Sequence, residues 1–192
     1  LAARVMDLWC EETWKHRTKS TGRQFRPGML SWNYWVGDGF ILPASPDGRP
    51  KGRFLSNAIC PVSGADINGP TANMNSVGKA LGGKARNGAG DWEDYMNCLP
   101  NGASHTISIS PAMLKDPEHR EKFKGFLKGC VENGGTSLQI NMIDSAMLRD
   151  AQARPDEYRS LLVRITGYNA YFTSIGHELQ EEVIARISHE SL

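Results

Sequence analysis

The stretch that decides how this chain reads is Arg164-Ile165-Thr166-Gly167-Tyr168-Asn169-Ala170-Tyr171-Phe172. An apolar run from Leu161 to Ile165 leads straight into a glycine and then into three aromatic rings. A run this apolar, with Val and Ile in it, predicts a strand buried on both faces. Loops ordinarily stay at the surface, because buried backbone groups need partners. The sequence therefore predicts a glycine backbone held inside the protein, with Tyr168, Tyr171 and Phe172 packed around it.

One chemistry requires that arrangement. Removing a hydrogen atom from a peptide glycyl Cα leaves a radical flanked by an electron-donating amide nitrogen and an electron-withdrawing carbonyl. With no Cβ, the carbon can flatten and conjugate with both neighbours, and the backbone is permissive enough to accept it. Residues 164–172 resemble the glycyl radical loop of the pyruvate formate-lyase superfamily, whose pattern is Arg-Val-Ser/Thr-Gly-Tyr. Ile165 replaces the usual Val. The resemblance continues in the family's order through Pro46-Asp47-Gly48-Arg49, Leu55-Ser56-Asn57, Gly69-Pro70-Thr71-Ala72 and Ser76-Val77-Gly78-Lys79. Asn133-Gly134-Gly135 through Leu138-Gln139-Ile140-Asn141 is similar to the family's Gly-Gly-x-x-x-Gln-x-Asn strand. Leu148 to Gln152, Pro155 to Arg159 and Leu179 to Arg186 complete the series.

The resemblance implies an α/β fold, the C-terminal part of a ten-stranded β/α barrel with a buried radical loop and a C-terminal helix. Residues 1–70 would be the end of the barrel domain and 71–192 the glycine radical domain. Gly167 falls on the radical position. Arg164, Ile165, Thr166 and Tyr168 would form the loop presented to an activating enzyme, a radical S-adenosylmethionine iron–sulfur protein. Nothing is implied to bind as a cofactor, and no metal; the glycyl radical is itself the modification. The implied partners are that activating enzyme, the rest of a parent chain, a small-molecule substrate and a second copy in a full-length homodimer. The implied setting is the cytoplasm, or a bacterial microcompartment, of an anaerobe.

Bulk properties agree with a packed protein and exclude some partners. At 192 residues and 40% hydrophobic content the chain can bury a core. A net charge of +1 gives no pull toward nucleic acid or a membrane surface. No apolar run approaches the roughly 18 residues of a membrane span. Cys10, Cys60, Cys98 and Cys130 form no Cys-x-x-Cys pair, which argues against structural zinc or a disulfide framework. The opening Leu1-Ala2-Ala3 has no start methionine and reads as a piece of something longer.

Leu1, Val5, Leu8 and Trp9 recur at helical spacing, predicting an amphipathic helix ending near His16. Phe40 to Leu42 reads as a strand, and Met74 to Leu81 as a short helix inside a glycine-rich loop. A helix follows Asp116 and Pro117, with Phe123, Phe126, Leu127, Cys130 and Val131 on one face and Asn133-Gly134-Gly135 as its stop. Then come a strand from Ser137 to Met142, a helix capped by Asp144 carrying Met147, Leu148 and Ala151, and a short helix from Pro155. The last helix runs from Gly176 to Ile187 with Leu179, Val183, Ile184 and Ile187 inward.

Several residues invite chemistry and have plainer uses. Cys130-Val131-Glu132 spells the Cys-x-Glu of the family's thiyl site, yet Cys130 sits on an apolar helix face and reads as core. Cys10 is also followed by Glu12, but it stands too few residues before Gly167 for the family's spacing. The resemblance implies that the catalytic cysteine lies outside this chain. Gly78-Lys79 through Lys84-Ala85 nearly spells a phosphate-binding loop, but lacks the Ser/Thr for Mg²⁺ and a preceding strand. His105 could face a pocket; His16, His119, His177 and His189 read as surface residues on helices. Arg164 either helps present the loop or makes a structural ion pair.

In the family, the stretch before Pro46 lines the substrate pocket, here Phe40, Leu42 and Ala44 among apolar neighbours. With no cation for a sulfonate and no acid for an ammonium, this suits an aromatic or alkyl substrate. The resemblance thus favours arylacetate decarboxylase-like C–C lyase chemistry over C–S or C–N lyase or dehydratase members. A rival is a non-catalytic spare part that carries its own glycyl radical and docks onto an enzyme with a damaged loop. A third reading is an α/β binding module without a radical.

Overall fold

The computed structural model describes residues 1–29, 34–46, 48–81, 103–133, 137–186 and 188–189. In chain order its elements are helices α1 (Ala2–Lys15), α2 (Tyr34–Ile41) and α3 (Pro70–Leu81), then strand β1 (Ser104–Ile109) and helix α4 (Pro117–Glu132). Strand β2 (Ser137–Asn141), helix α5 (Ser145–Ala153), strands β3 (Leu162–Arg164) and β4 (Asn169–Tyr171), helix α6 (His177–Ala185) and strand β5 (Ser188–His189) follow. Short 3-10 turns at Pro111–Leu114, Pro155–Tyr158 and Phe172–Ser174 join them. This is a mixed α/β chain. No helix among the described residues is long and apolar enough to cross a membrane.

The helix starts follow from their caps. Asp116 accepts from the Glu118 N–H at 2.8 Å and Asp144 from the Met147 N–H at 2.7 Å, each satisfying a donor the helix leaves open. Pro117 occupies the first turn of α4, where its missing N–H costs nothing. Gly78 lies inside α3 rather than in a phosphate loop. A Cβ there would stand 2.9 Å from the Asn133 carbonyl, so glycine is what lets α3 meet the end of α4. Lys84 and Ala85, like Asp47, Cys98, Gly134, Gly135 and Ile187, lie outside the described residues.

Two small sheets carry the architecture. Strands β2, β1 and β5 pair in that order, all parallel, with Thr106 opposite Gln139 and Ser108 opposite both Asn141 and Ser188. Strands β3 and β4 form an antiparallel hairpin, Arg164 opposite Asn169. One core joins the hairpin to α2, α5 and α6 through Trp35, Phe54, Leu148, Val163, Ile165 and Phe172. A second joins Met6, Cys10 and Trp14 of α1 to Val77 and Leu81 of α3, across the expected 70/71 division. A third puts Ile107 and Ile109 of β1 against Met74, Met113, Phe126 and Cys130.

The structure corrects several expectations. Phe40 to Leu42 is no strand: Phe40 and Ile41 end α2, and Phe40, Leu42 and Ala44 are exposed. Burial of Trp35, Val36 and Gly39 on one side of that segment set the helical period instead. Strand β3 is not buried on both faces. It has one hairpin partner, and Leu162 is half exposed while Val163 is buried. In α4, Phe126 and Cys130 are buried but Leu127 and Val131 are exposed, as is Met147 in α5. The α1 stripe of Leu1, Val5, Leu8 and Trp9 is exposed, and the opposite face packs. His189 stands on β5, not on a helix.

Strand β1 was not expected at all. Four of the six residues in its sequence, Ser-His-Thr-Ile-Ser-Ile, are polar, yet all six are buried. Two of these polar side chains find partners: the Thr106 hydroxyl donates to Gln139, and the His105 Nε2–H donates to Asn73 Oδ1 at 2.8 Å. Asn73 in turn donates to Asp66 Oδ2 at 3.0 Å. Burial keeps the His105 ring neutral and lowers its pKa to about 4, against the opposing pull of Asp66. The unfolded chain takes up this proton as pH falls through 6.5, and the folded chain only near 4. Stability measured by urea unfolding should therefore fall by up to about 3 kcal/mol between those limits, with no further loss from this residue below them. The same titration of His105→Gln should show a shallower slope across that window.

Candidate functional site

Gly167 lies at the tip of the β3–β4 hairpin. The Ile165 N–H donates to the Tyr168 carbonyl at 3.0 Å and closes the turn. Gly167 has φ +69°, the left-handed region that L side chains rarely adopt. A Cβ would meet nothing within 4 Å, so conformation rather than space asks for glycine.

Side chains from three elements hold this hairpin where its own strand pairing ends. On β2, Asn141 accepts the Arg164 N–H and donates to the Arg164 carbonyl, both at 2.8 Å, imitating a strand backbone. Two residues earlier on the same face, Gln139 Oε1 accepts the Gly167 N–H at 2.9 Å. Asn57, in the loop before α3, donates to the Ile165 carbonyl at 3.2 Å. At the end of α6, Arg186 Nη1 also donates to the Arg164 carbonyl, at 2.9 Å. Arg186 is itself gripped by Glu182 through bonds of 3.1 and 2.7 Å, and Ser63 donates to Glu182 at 2.9 Å. The Glu182 side chain is fully buried and that of Arg186 nearly so.

Burial around the tip is uneven. Ile165 and Thr166 are buried and Tyr168 is half-buried, but Gly167 itself is exposed. This corrects the expectation of an interior glycine. A two-stranded hairpin has two faces, and the elements present cover one of them. Phe172 is buried in the core below, whereas Tyr171 is half exposed. An open cleft of about 460 Å³ lies between β2 and β3, lined by Gln139, Asn141, Arg164 and Asn169 among others. A small cavity of about 20 Å³ lies behind the hairpin, lined by Asn57, Cys60, Asp66, Asn73, Glu182 and Arg186 among others.

The other candidates sort plainly. Arg164 makes no ion pair among the described residues; its Nε donates to Gln139 Oε1 and its Nη1 to Asn169 Oδ1, both at 3.3 Å. Phe40, Leu42 and Ala44 line neither of these spaces. His105 is locked in the sheet rather than facing a pocket. Cys10 and Cys130 are buried in separate cores, and burial pushes the Cys130 thiol up, away from the thiolate. Among the described residues no group of three His, Cys, Asp or Glu could hold a metal ion. Sequence reasoning quoted Asn57, Gln139, Asn141 and Arg186 as family motifs without giving them a task. The available signal was two carboxamides at i and i+2 on an otherwise apolar strand, which places both on one face.

Residues 93–173 match the family model described as "Glycine radical". The chain belongs to the glycyl radical enzymes. It is 35% identical over 91% of its length to indoleacetate decarboxylase of Tractidigestivibacter scatoligenes, covering 18% of that protein. It is 33% identical to (2S)-3-sulfopropanediol dehydratase of Klebsiella oxytoca, over 95% of this chain and 21% of that one. Its fold superposes on the B12-independent glycerol dehydratase of Clostridium butyricum with a TM-score of 0.84 and 31% identity, over 99% of this chain and 22% of that chain. It therefore spans about a fifth of the length of the relatives it matches.

The Glu182–Arg186 pair yields a direct test of the hairpin's anchor. Arg186→Met removes the donor to the Arg164 carbonyl and leaves a buried carboxylate without its guanidinium. Chemical denaturation should show a loss of about 3–5 kcal/mol, and the double variant with Glu182→Gln should recover part of it.

Proposed function

We propose that this chain is the radical-storing portion of a glycyl radical enzyme, with Gly167 as the residue that holds the unpaired electron. The observation that carries this reading is the tip itself. A glycine in the left-handed region has its N–H bonded to Gln139, and the nearby Ile165 and Arg164 carbonyls are held by Asn57 and by Asn141 with Arg186. Such a tip is rigid where it is held, yet open at the carbon that reacts.

In this reading a separate radical S-adenosylmethionine iron–sulfur enzyme removes one hydrogen atom, proton and electron together, from the Gly167 Cα. The carbon keeps one unpaired electron, shared with the amide on each side. In turnover a cysteine of the parent chain gives its S–H hydrogen to Gly167 and becomes the thiyl radical that takes hydrogen from substrate. This chain's residues store the radical and orient the loop; Arg164, Ile165, Thr166 and Tyr168 are the surface the activating enzyme meets. The rest of a ten-stranded barrel would cover the exposed face of the tip. The division into a barrel end at 1–70 and a radical domain at 71–192 belongs to the same proposal.

For chemistry, arylacetate decarboxylation is supported by the likeness to an indoleacetate decarboxylase and by the apolar Phe40-Ile41-Leu42 run. The second reading is dehydration of a diol, supported by the likeness to two dehydratases. Carbon dioxide released from an aryl acetate by the activated full-length protein separates the first from the second, which would yield an aldehyde from a vicinal diol.

Anaerobic activation of the full-length protein should give an electron spin resonance signal that Gly167→Ala abolishes. An unchanged spectrum in that variant would refute the assignment. Admitting air to the activated protein should cleave the backbone at Gly167 and release a short piece beginning near Tyr168, read by mass spectrometry.

A further inference from the structure

Gln139 stands on β2 with its carboxamide against the packed side of the hairpin tip. Its Oε1 accepts the Gly167 N–H at 2.9 Å, Arg164 Nε at 3.3 Å and the Thr106 hydroxyl at 3.4 Å. A backbone N–H and a guanidinium N–H can only donate, so the atom facing them is the carbonyl oxygen, and the amide has one orientation. The Gly167 bond is the shortest of the three. Gln139 is buried, so water competes little for that oxygen and the bond is stronger than it would be outside. Thr106 links the same atom to the central strand of the sheet, which makes the most buried strand the tip's support.

We propose that Gln139 is a positioning residue for the radical on Gly167, holding the glycine amide in the orientation that stabilises the unpaired electron. This rests on Gly167 being the radical site. The nitrogen stabilises a Cα radical only when its lone pair lies parallel to the half-filled orbital. That requires the N–H to lie in the plane of the three bonds of the flattened carbon. A glycine at a hairpin tip has no side chain to steer its backbone, and here one external acceptor fixes the direction of the N–H. The same acceptor draws the amide hydrogen away and leaves more electron density on nitrogen, the donating partner of the radical. Arg164 shares the oxygen, so the spacing of Arg164 and Gly167 within this loop places both on one acceptor.

The test begins with full-length protein before activation, by hydrogen exchange of individual amides. The Gly167 amide should be protected in the wild type, and Gln139→Leu should speed its exchange on the order of tenfold, the equivalent of one hydrogen bond. Gln139→Glu keeps an acceptor and should stay near the wild type. The Ile165 amide, bonded to Tyr168 rather than to Gln139, should remain protected in all three and so report an intact hairpin. After anaerobic activation, Gln139→Leu should show altered hyperfine splitting and faster radical decay, with Gln139→Glu restoring both. Equal Gly167 exchange in wild type and Gln139→Leu overturns the proposal, as does an unchanged spectrum and lifetime. Loss of Ile165 protection in Gln139→Leu also overturns it, because the side chain would then merely keep the hairpin folded. A Gln139-dependent Gly167 amide in a wild type that takes up no spin would instead sink the radical reading and leave the hydrogen bond standing.

Discussion

The structure around Gly167 depends on borrowed hydrogen bonds. A hairpin of two three-residue strands cannot satisfy the backbone of its own tip, and among the described residues no sheet strand pairs with it. The missing partners are side chains: Asn57, Gln139, Asn141 and Arg186 reach in from the pre-α3 loop, from β2 and from α6. Each such bond contributes only about 0.5–1.5 kcal/mol net, but a buried carbonyl left without one costs more than that. The consequence is geometric. Long-range elements converge on residues 164–167, so the loop's conformation is set by the whole fold rather than by local turn preferences.

That dependence explains why the buried ion pair sits where it does. Glu182 and Arg186 lie on one face of the C-terminal end of α6, and their mutual bonds leave one guanidinium nitrogen free to reach the Arg164 carbonyl. A neutral side chain of that length would reach the carbonyl without fixing the angle of approach. The bidentate carboxylate fixes the plane of the guanidinium, and Ser63 holds the carboxylate. Helix, loop and hairpin are thereby set in one orientation by charged groups whose charges cancel locally.

Much of this was legible in the sequence where one residue decides one local event. Asp116 and Asp144 announced helix starts, Pro117 a first turn, and Gly167 the turn that follows an apolar strand. What failed was inference about environment. Strand β1 opens on three successive polar residues, Ser104, His105 and Thr106, so composition gave no apolar run, and its partners Asn73, Cys60 and Gln139 come from distant segments. Phe40-Ile41-Leu42 has strand-like composition, yet the burial of Trp35, Val36 and Gly39 pulls it into a helix end. For α1 the period was right, but Leu1, Val5, Leu8 and Trp9 compete with Met6, Cys10 and Trp14 for the inside. Periodicity cannot say which of two apolar faces packs.

Gly167 brings two separate demands for glycine to one position, and the geometry distinguishes them. The left-handed backbone makes any side chain unfavourable by roughly 1–2 kcal/mol, a cost a folded domain can absorb. The empty space where a Cβ would stand shows that packing adds nothing to that cost. Stability alone would therefore tolerate asparagine, which visits this region at modest expense. The proposed radical chemistry would not. A Cβ substituent crowds the flattening of the carbon and blocks conjugation with both amides. The turn explains why glycine suits this tip, whereas a radical stored here, as proposed, would explain why no other residue would serve.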